Sequence, residues 1–196
     1  MPIENFLAYY CGPALAGIKT ANIASYNTKN NPNAKSYILG LNKKLNKKGI
    51  YIELLYECEN RILVMVYRRN RLCDYLNNES IKKLLQSCGY PKNFSLDLYL
   101  DFLKKRINDQ YADGKDFPHE IGAFLGYPIH DIYGFIYHKN EGCLLTGEWK
   151  VYAQAEQAEK IFCRYQLCRK AILKRVNEGK TLEQLLVCLL YTSRCV

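Results

Sequence analysis

The sequence predicts an α+β fold in one domain, a small mixed or antiparallel sheet packed against several helices. Two β-branched and aromatic runs, IYIELLYE and RILVMVYRR, flank the short segment CEN and predict a central antiparallel hairpin at about residues 50–69. Apolar residues recur at helical spacing through much of the rest, most clearly over residues 154–177. A chain of 196 residues is long enough to bury a core without a disulfide or a metal.

Before the hairpin, residues 3–10 predict a helix that ends at Gly12 and Pro13. The next segment, ALAGIKTANIASY, is compatible with either a short strand or a second helix. NTKNNPN is typical of a loop because of its Asn, Pro and Lys content. Ser36 then precedes a helix that runs to Lys48, where Gly49 stops it.

After the hairpin, the sequence predicts helices at about 79–88 and 95–108, a strand at LLTGEWKVY and a long helix at 154–177. On that last helix Cys168 lies within the apolar stripe and is interpreted as a small buried hydrophobe. Cys163 lies off the stripe and is expected to be exposed.

The stretch DFPHEIGAFLGYPIHDIYGFIYH, residues 116–138, predicts two short helices joined by a GYP corner. Gly126 ends the first helix, and Pro128 prevents its continuation and opens the second. The same tripeptide follows KKLLQSC at Gly89, so Gly126, Tyr127 and Pro128 are interpreted as a structural motif that stops helices.

Net charge and hydropathy argue against two classes of function, nucleic-acid binding and membrane contact. The formal charge is +9, but the cations are dispersed over several helix ends and no nucleic-acid motif accompanies them, so nucleic-acid binding is not favoured. The N-terminus lacks a secretory signal and no apolar run reaches the length of a membrane span, which favours a cytoplasmic location and no membrane contact. Nine cysteines without any CxxC pair are then expected to be reduced thiols, several of them buried.

Four residues of the 116–138 stretch are candidates for chemistry. HEIGA begins like a zinc-protease motif, but Ala123 stands where the second histidine is needed, so no metal site is predicted. His119 and Glu120 remain candidate catalytic groups, and His130 and Asp131 candidate ligand-binding groups. The alternative, which is favoured, is that these side chains satisfy exposed donors at the two helix starts.

Cys11 is the one thiol in a suggestive setting. Gly12 and Pro13 constrain the backbone beside it, and Lys19 would lower the thiol pKa if the chain folded back. Cys11 is therefore a candidate nucleophile, with Lys19 as a candidate ligand-binding residue. The competing interpretation is a packed cysteine at a helix end.

Together, CGPALAGIKTAN, LVMVYRR, CGYP, DFPHEIGAFLGYPIHDIYGFI and GEWKVY resemble one bacterial family, the domain of unknown function numbered 3793, from about Phe6 to Leu186. The resemblance implies no activity or cofactor. It implies a flavodoxin-like redox partner, and it places among the motif positions Cys11, Pro13, Gly17, Lys19, His119, Glu120, Gly126, Tyr127 and Pro128.

Two functions are compatible with these residues, which leave open whether the protein is an enzyme. The first is a non-enzymatic binding or redox-accessory protein with Cys11, Lys19, His119 and Glu120 lining one pocket. The second is a thiol-dependent enzyme that uses Cys11 with His119 as acid and base. Cofactor, substrate and oligomeric state are not predicted.

The last nine residues, CLLYTSRCV at 188–196, are interpreted as a non-native tail. They are what a transposon-end sequencing adapter, followed by its reverse complement, would encode in this frame. The domain is accordingly predicted to span residues 1–187, and Cys188 and Cys195 would leave the thiol inventory.

Overall fold

A computed structural model describes residues 1–113, 117–139 and 141–186. The α+β prediction is confirmed, because a three-stranded antiparallel sheet packs against several helices. The described residues form two compact units, residues 1–70 together with 165–186, and residues within 71–164. The single domain over 1–187 stays a prediction, and the tail at 188–196 lies outside the described residues.

The first unit contains the sheet. Its elements before residue 69 are α1 (Ile3–Leu15), β1 (Ala21–Asn27), α2 (Ala34–Asn46), β2 (Ile50–Cys58) and β3 (Arg61–Arg68). The strand order is β1-β3-β2, with both pairings antiparallel, so the predicted hairpin is confirmed as β2 and β3. The segment after α1, for which the sequence allowed either a strand or a helix, forms strand β1.

Strand β3 occupies the centre of the sheet, and residues 62–67 are buried without interruption. A strand with a neighbour on both sides is expected to be apolar throughout when both its faces are covered. The core of this unit joins the sheet to α1, α2 and the C-terminal helical residues; its fully buried members include Leu7, Leu15, Leu45, Ile50 and Val64.

The predicted end of α1 at Gly12 and Pro13 is wrong, since the helix continues to Leu15. Proline fixes φ near the helical value, and close to a C-terminus it removes only one hydrogen bond. The helix is also held from outside, because the Asn22 side-chain oxygen accepts a hydrogen bond from the Ala14 N–H at 3.0 Å. Gly17 then turns the chain with φ +77°.

The second unit is mainly helical. It contains most of α3 (Arg69–Leu76) and the elements α4 (Glu79–Ser87), α5 (Leu96–Asp113), α6 (Ile121–Phe124), α7 (Ile129–His138), β4 (Leu145–Thr146) and β5 (Lys150–Val151). The last helix, α8 (Ala155–Asn177), contributes its first part to this unit and the rest to the first unit. The predicted helices at 79–88, 95–108 and 154–177 are confirmed, whereas α3 was not predicted. LLTGEWKVY forms a small hairpin of two short strands and not one strand.

Both GYP corners end a helix in the same way, as the sequence predicts. Gly89 has φ +91° and Gly126 has φ +74°. The N–H of Gly126 donates to the Ala123 carbonyl at 3.1 Å, and the N–H of Tyr127 donates to the Gly122 carbonyl at 2.9 Å. Gly89 and Tyr90 repeat this pair of bonds with Gln86 and Leu85, which makes each corner a Schellman motif.

Within the described ranges, no helix is both long enough and apolar enough to cross a bilayer. No two cysteines of those ranges form a disulfide bond. Cys11 is buried and Cys163 is exposed, as the α8 pattern predicts for Cys163. Cys168 packs against the core but is only partly buried.

Candidate functional site

The second unit contains a cavity of about 340 Å³ built from the 116–138 stretch and the small hairpin. We call it the aromatic pocket. Its lining residues are Phe117, Pro118, His119, Ile121, Gly122, Tyr127, Asp131, Ile132, Phe135, Trp149 and Lys150. Its size lies at the lower end of the range for small-molecule sites in proteins.

Ring systems form two parts of the pocket wall. Tyr127 and Trp149 stack with their centroids 4.9 Å apart and their planes 29° from parallel. His119 meets Phe135 edge to face, with centroids 5.1 Å apart. Ile132, which is 3% exposed, adds an aliphatic surface to the same lining. The pocket is therefore mostly apolar, with few polar groups.

Glycine permits the close approach of α6 and α7 that shapes this pocket. A Cβ at Gly122 would lie 3.1 Å from the Tyr127 ring and 3.2 Å from a side-chain carbon of Ile132. Tyr127 is fixed at both ends, because its hydroxyl donates to the Glu148 carbonyl at 3.0 Å and its carbonyl accepts from the Tyr75 hydroxyl. The corner thus positions one wall of the pocket.

Asp131 holds the hairpin against α7. Its carboxylate is buried and accepts hydrogen bonds from the Trp149 indole N–H at 2.7 Å, the Tyr152 N–H at 2.7 Å and the Ala153 N–H at 3.3 Å. Nε2 of half-buried His130 lies 3.6 Å from the same carboxylate. Asp131 therefore positions Trp149, and most of its capacity to accept hydrogen bonds is used within the protein.

Glu120 faces a different set of groups from its neighbour His119. Its buried carboxylate forms an ion pair with Nε of Arg106 and accepts a hydrogen bond from the Tyr90 hydroxyl at 3.4 Å. Burial first, and then the charge of Glu120, raises the pKa of Tyr90. Through these two contacts Glu120 connects helix α5 and the first GYP corner to the start of α6, which is a structural role.

The interpretation that the acidic side chains cap the starts of α6 and α7 is wrong. Neither α6 nor α7 has a side-chain hydrogen bond at its N-cap. The two carboxylates instead accept from an arginine, an indole and the backbone of a hairpin, which lie far from the helix starts in sequence. Both carboxylates are therefore held by partners within the second unit and not by capping contacts.

Cys11 and Lys19 belong to the first unit, and His119 and Glu120 to the second. Cys11 is fully buried, and this burial raises the pKa of its thiol to about 12, although the charges of Lys19 and Arg169 oppose the shift. The nearby Lys19 charge was predicted, but it does not outweigh desolvation. A thiol with this pKa is almost entirely protonated near neutral pH and is a poor nucleophile.

Lys19 is itself buried, and its ammonium lies 5.4 Å from the centroid of the Tyr165 ring. A cation over an aromatic face is stabilised by the ring quadrupole. The described part of the chain contains no group of three His, Cys, Asp or Glu side chains that could hold a metal ion. Among the candidate residues, the pocket brings together His119, Asp131 and Tyr127.

Sequence reasoning missed Trp149 and Phe135 as site residues. Trp149 is the single tryptophan of the chain and stands in GEWKVY, a segment that carries the family resemblance, so its rarity was a usable signal. Phe135 lies one turn after Asp131 on α7, on the face that also presents Ile132.

The comparisons with known proteins identify a family and nothing finer. The model of the family described as protein of unknown function (DUF3793) matches residues 7–186, which is nearly the whole chain. No curated protein and no solved structure matches the chain.

Proposed function

We propose that this chain, which belongs to the DUF3793 family, is a non-enzymatic binding or accessory protein that holds a small, mostly apolar ligand in the aromatic pocket. One observation carries the proposal. The motif segment that contains His119 and Tyr127 and the one that contains Trp149 lie apart in sequence and line one cavity of about 340 Å³. Concave, apolar sites with a few convergent polar groups are the usual form of a ligand site.

The polar groups support binding more than catalysis. Asp131 is occupied by three N–H donors, and Glu120 by Arg106 and Tyr90. A general base needs an acceptor directed at the substrate, and here both carboxylates are directed at the protein. His119 also lines the pocket, where its ring contacts that of Phe135.

The thiol-dependent enzyme is the weaker alternative, because full burial of Cys11 and its raised pKa oppose nucleophilic attack. The proposal includes a redox-accessory role if the ligand bound in the pocket is itself redox-active. In that role the protein would transfer this ligand to a flavodoxin-like partner. A bacterial, cytoplasmic setting is compatible with this role, since its thiols would stay reduced there.

Native mass spectrometry of anaerobically purified protein tests the proposal. We expect the wild type to retain or, after incubation with a small-molecule extract of the expression host, to take up one ligand per chain. Ile121→Trp, which enlarges a lining residue, should reduce the occupied fraction several-fold.

Ile136→Trp is the matched control, because Ile136 is also half-buried and in the second unit but does not line the pocket. Equal loss of ligand in both variants would place the site elsewhere. A wild type that binds nothing from the extract would contradict the proposal.

A further inference from the structure

We infer that the ligand of the aromatic pocket is an uncharged, planar molecule of one or two fused aromatic rings, with a hydrogen-bond acceptor that faces His119. This inference rests on the proposed function and adds the chemical class of the ligand. Four features of the pocket carry it: its volume, its ring walls, its balance of charge and the position of His119.

The volume limits the size of the ligand. A water molecule occupies about 30 Å³ of the liquid, so a cavity of about 340 Å³ has room for roughly eleven such volumes. A fused bicyclic ring of about ten non-hydrogen atoms takes up less space than this and fits inside the cavity. A tetrapyrrole could place only a part of itself inside.

The walls favour a flat aromatic molecule over a branched aliphatic one. The Tyr127–Trp149 stack contributes two rings to the lining, and the His119–Phe135 pair contributes two more. Aromatic rings gain from offset stacking and edge-to-face contact beyond the area that they bury. A planar ligand can make both kinds of contact in this pocket at once.

The charges in the lining favour a neutral ligand. Asp131 contributes one negative charge and Lys150 one positive charge to the lining, so neither sign dominates. Most of the remaining lining is apolar, and transfer of a net charge from water into such surroundings is unfavourable without a dedicated partner.

His119 supplies the directional contact. It lies just before α6, half-buried, with its ring and the ring of Phe135 in an edge-to-face contact. Neutral imidazole always carries one N–H donor and one acceptor nitrogen. An acceptor atom on the rim of a planar ligand can accept a hydrogen bond from this N–H while the ligand ring contacts the aromatic walls.

The experiment uses quinoline, naphthalene and 2-decalone, which are neutral bicyclic probes of nearly equal size. Quinoline and naphthalene differ by one acceptor nitrogen, and 2-decalone keeps an acceptor but is saturated and not planar. Binding to ¹⁵N-labelled protein is followed at the indole N–H signal of Trp149, the single tryptophan. This group lines the pocket and donates to Asp131, so its resonance reports on the site.

In the wild type we expect quinoline to bind about three- to tenfold more tightly than naphthalene, the ratio that one net hydrogen bond supplies. Quinoline should also bind more tightly than 2-decalone. In His119→Phe, which keeps a ring against Phe135 but removes the N–H, quinoline and naphthalene should bind with equal affinity.

Binding of 2-decalone as tightly as quinoline would overturn the planar class and leave the proposed function standing. A quinoline preference that persists in His119→Phe would overturn the role of His119. If no probe shifts the indole signal but native mass spectrometry finds a ligand that Ile121→Trp loses, the inference fails alone. If neither method detects binding, the proposed function fails with it.

Discussion

At the scale of single residues, Asp131 joins helix α7 to the small hairpin beside the pocket. Its buried carboxylate accepts from the Trp149 indole and from two backbone N–H groups. Asp131→Asn replaces one acceptor oxygen by an NH₂ group that faces these donors. We expect the free energy of unfolding to fall by about 1–3 kcal/mol, the usual cost of leaving buried donors unsatisfied. Urea unfolding followed by Trp149 emission measures the change.

Asp101→Asn is the matched control for this substitution. Asp101 is an exposed residue of α5, and its partner Lys104 lies 3.7 Å away. An exposed ion pair of this kind contributes little, so the control should unfold within about 0.5 kcal/mol of the wild type. If both variants behave alike, Asp131 does not hold the hairpin as described.

Burial also determines the chemistry of Cys11. Because desolvation raises the pKa of its thiol to about 12, we expect Cys11 to be the slowest of the described cysteines to react with iodoacetamide at pH 8. The exposed thiols of Cys58 and Cys163 should react first. Peptide mapping after limited labelling of the native protein measures the order. This expectation reverses the one that follows from the sequence, in which the nearby Lys19 makes Cys11 the most reactive thiol.

The same shift gives a pH dependence with a definite sign. The unfolded thiol ionises near its ordinary pKa of 9.0, whereas the folded thiol stays protonated until about pH 12. The contribution of Cys11 to stability is therefore fully present below pH 9 and is lost as the pH rises from 9 to 12. We expect Cys11→Ala to flatten the fall in stability over this window, as measured by urea unfolding at pH 8, 9 and 10. Parallel pH profiles for the two proteins would rule this contribution out.

At the scale of the elements, the GYP corners were predictable because their chemistry is local. A left-handed glycine closes each helix, and the backbone bonds of a Schellman motif follow from it. The β2–β3 hairpin was predictable for the same reason, since its pattern and turn are contiguous in the chain.

Elements that depend on distant partners were harder to predict. The extent of α1 past Pro13 is supported by Asn22 from outside the helix. Helix α3 follows directly after β3, so no break in the sequence announces it. Each strand of the small hairpin has only two residues, which are too few to show the alternation of apolar and polar residues that is typical of a strand. The hairpin is also held by Asp131, which lies on helix α7.

Gly126→Ala tests the corner as an element. Gly126 has φ +74°, where a Cβ costs about 1 kcal/mol or more, so we expect a lower midpoint of thermal unfolding than for His119→Ala. His119 is half-buried and contributes mainly its contact with Phe135. Circular dichroism during heating measures both midpoints.

Gly40→Ala is the matched glycine control. Gly40 lies within α2, and a Cβ there would meet nothing within 4 Å. Alanine has the higher helix propensity, so this variant should be as stable as the wild type or more stable. A Gly126→Ala protein that melts with the wild type would show that the corner tolerates a side chain.

At the scale of the whole molecule, the sequence predicted the α+β class and most of the helices and strands. It did not predict which of the candidate residues line one pocket. Cys11 and His119 were expected to line one pocket; they belong to different units, and their meeting stays a prediction. Side chains that meet across a pocket come from separate elements, and spacing along the chain does not encode that meeting. The pairing of Tyr127 with Trp149 is of this kind.

The distribution of charge gives a prediction for the complete chain. Although the formal charge is +9, some of the lysines form ion pairs, as Lys35 does with Glu57 and Lys44 with Glu183. We expect no saturable binding to a 30-base-pair duplex at 150 mM salt by fluorescence anisotropy. Tight binding that weakens steeply with salt would instead show several phosphate contacts made together.

The most direct test of the central claim is a crystal structure of the protein soaked with quinoline. The account predicts electron density for one flat ring system in the aromatic pocket, against Trp149 and Tyr127, with its nitrogen within hydrogen-bond distance of the His119 imidazole. An aromatic pocket that stays empty at a quinoline concentration that saturates the protein in solution would contradict the account.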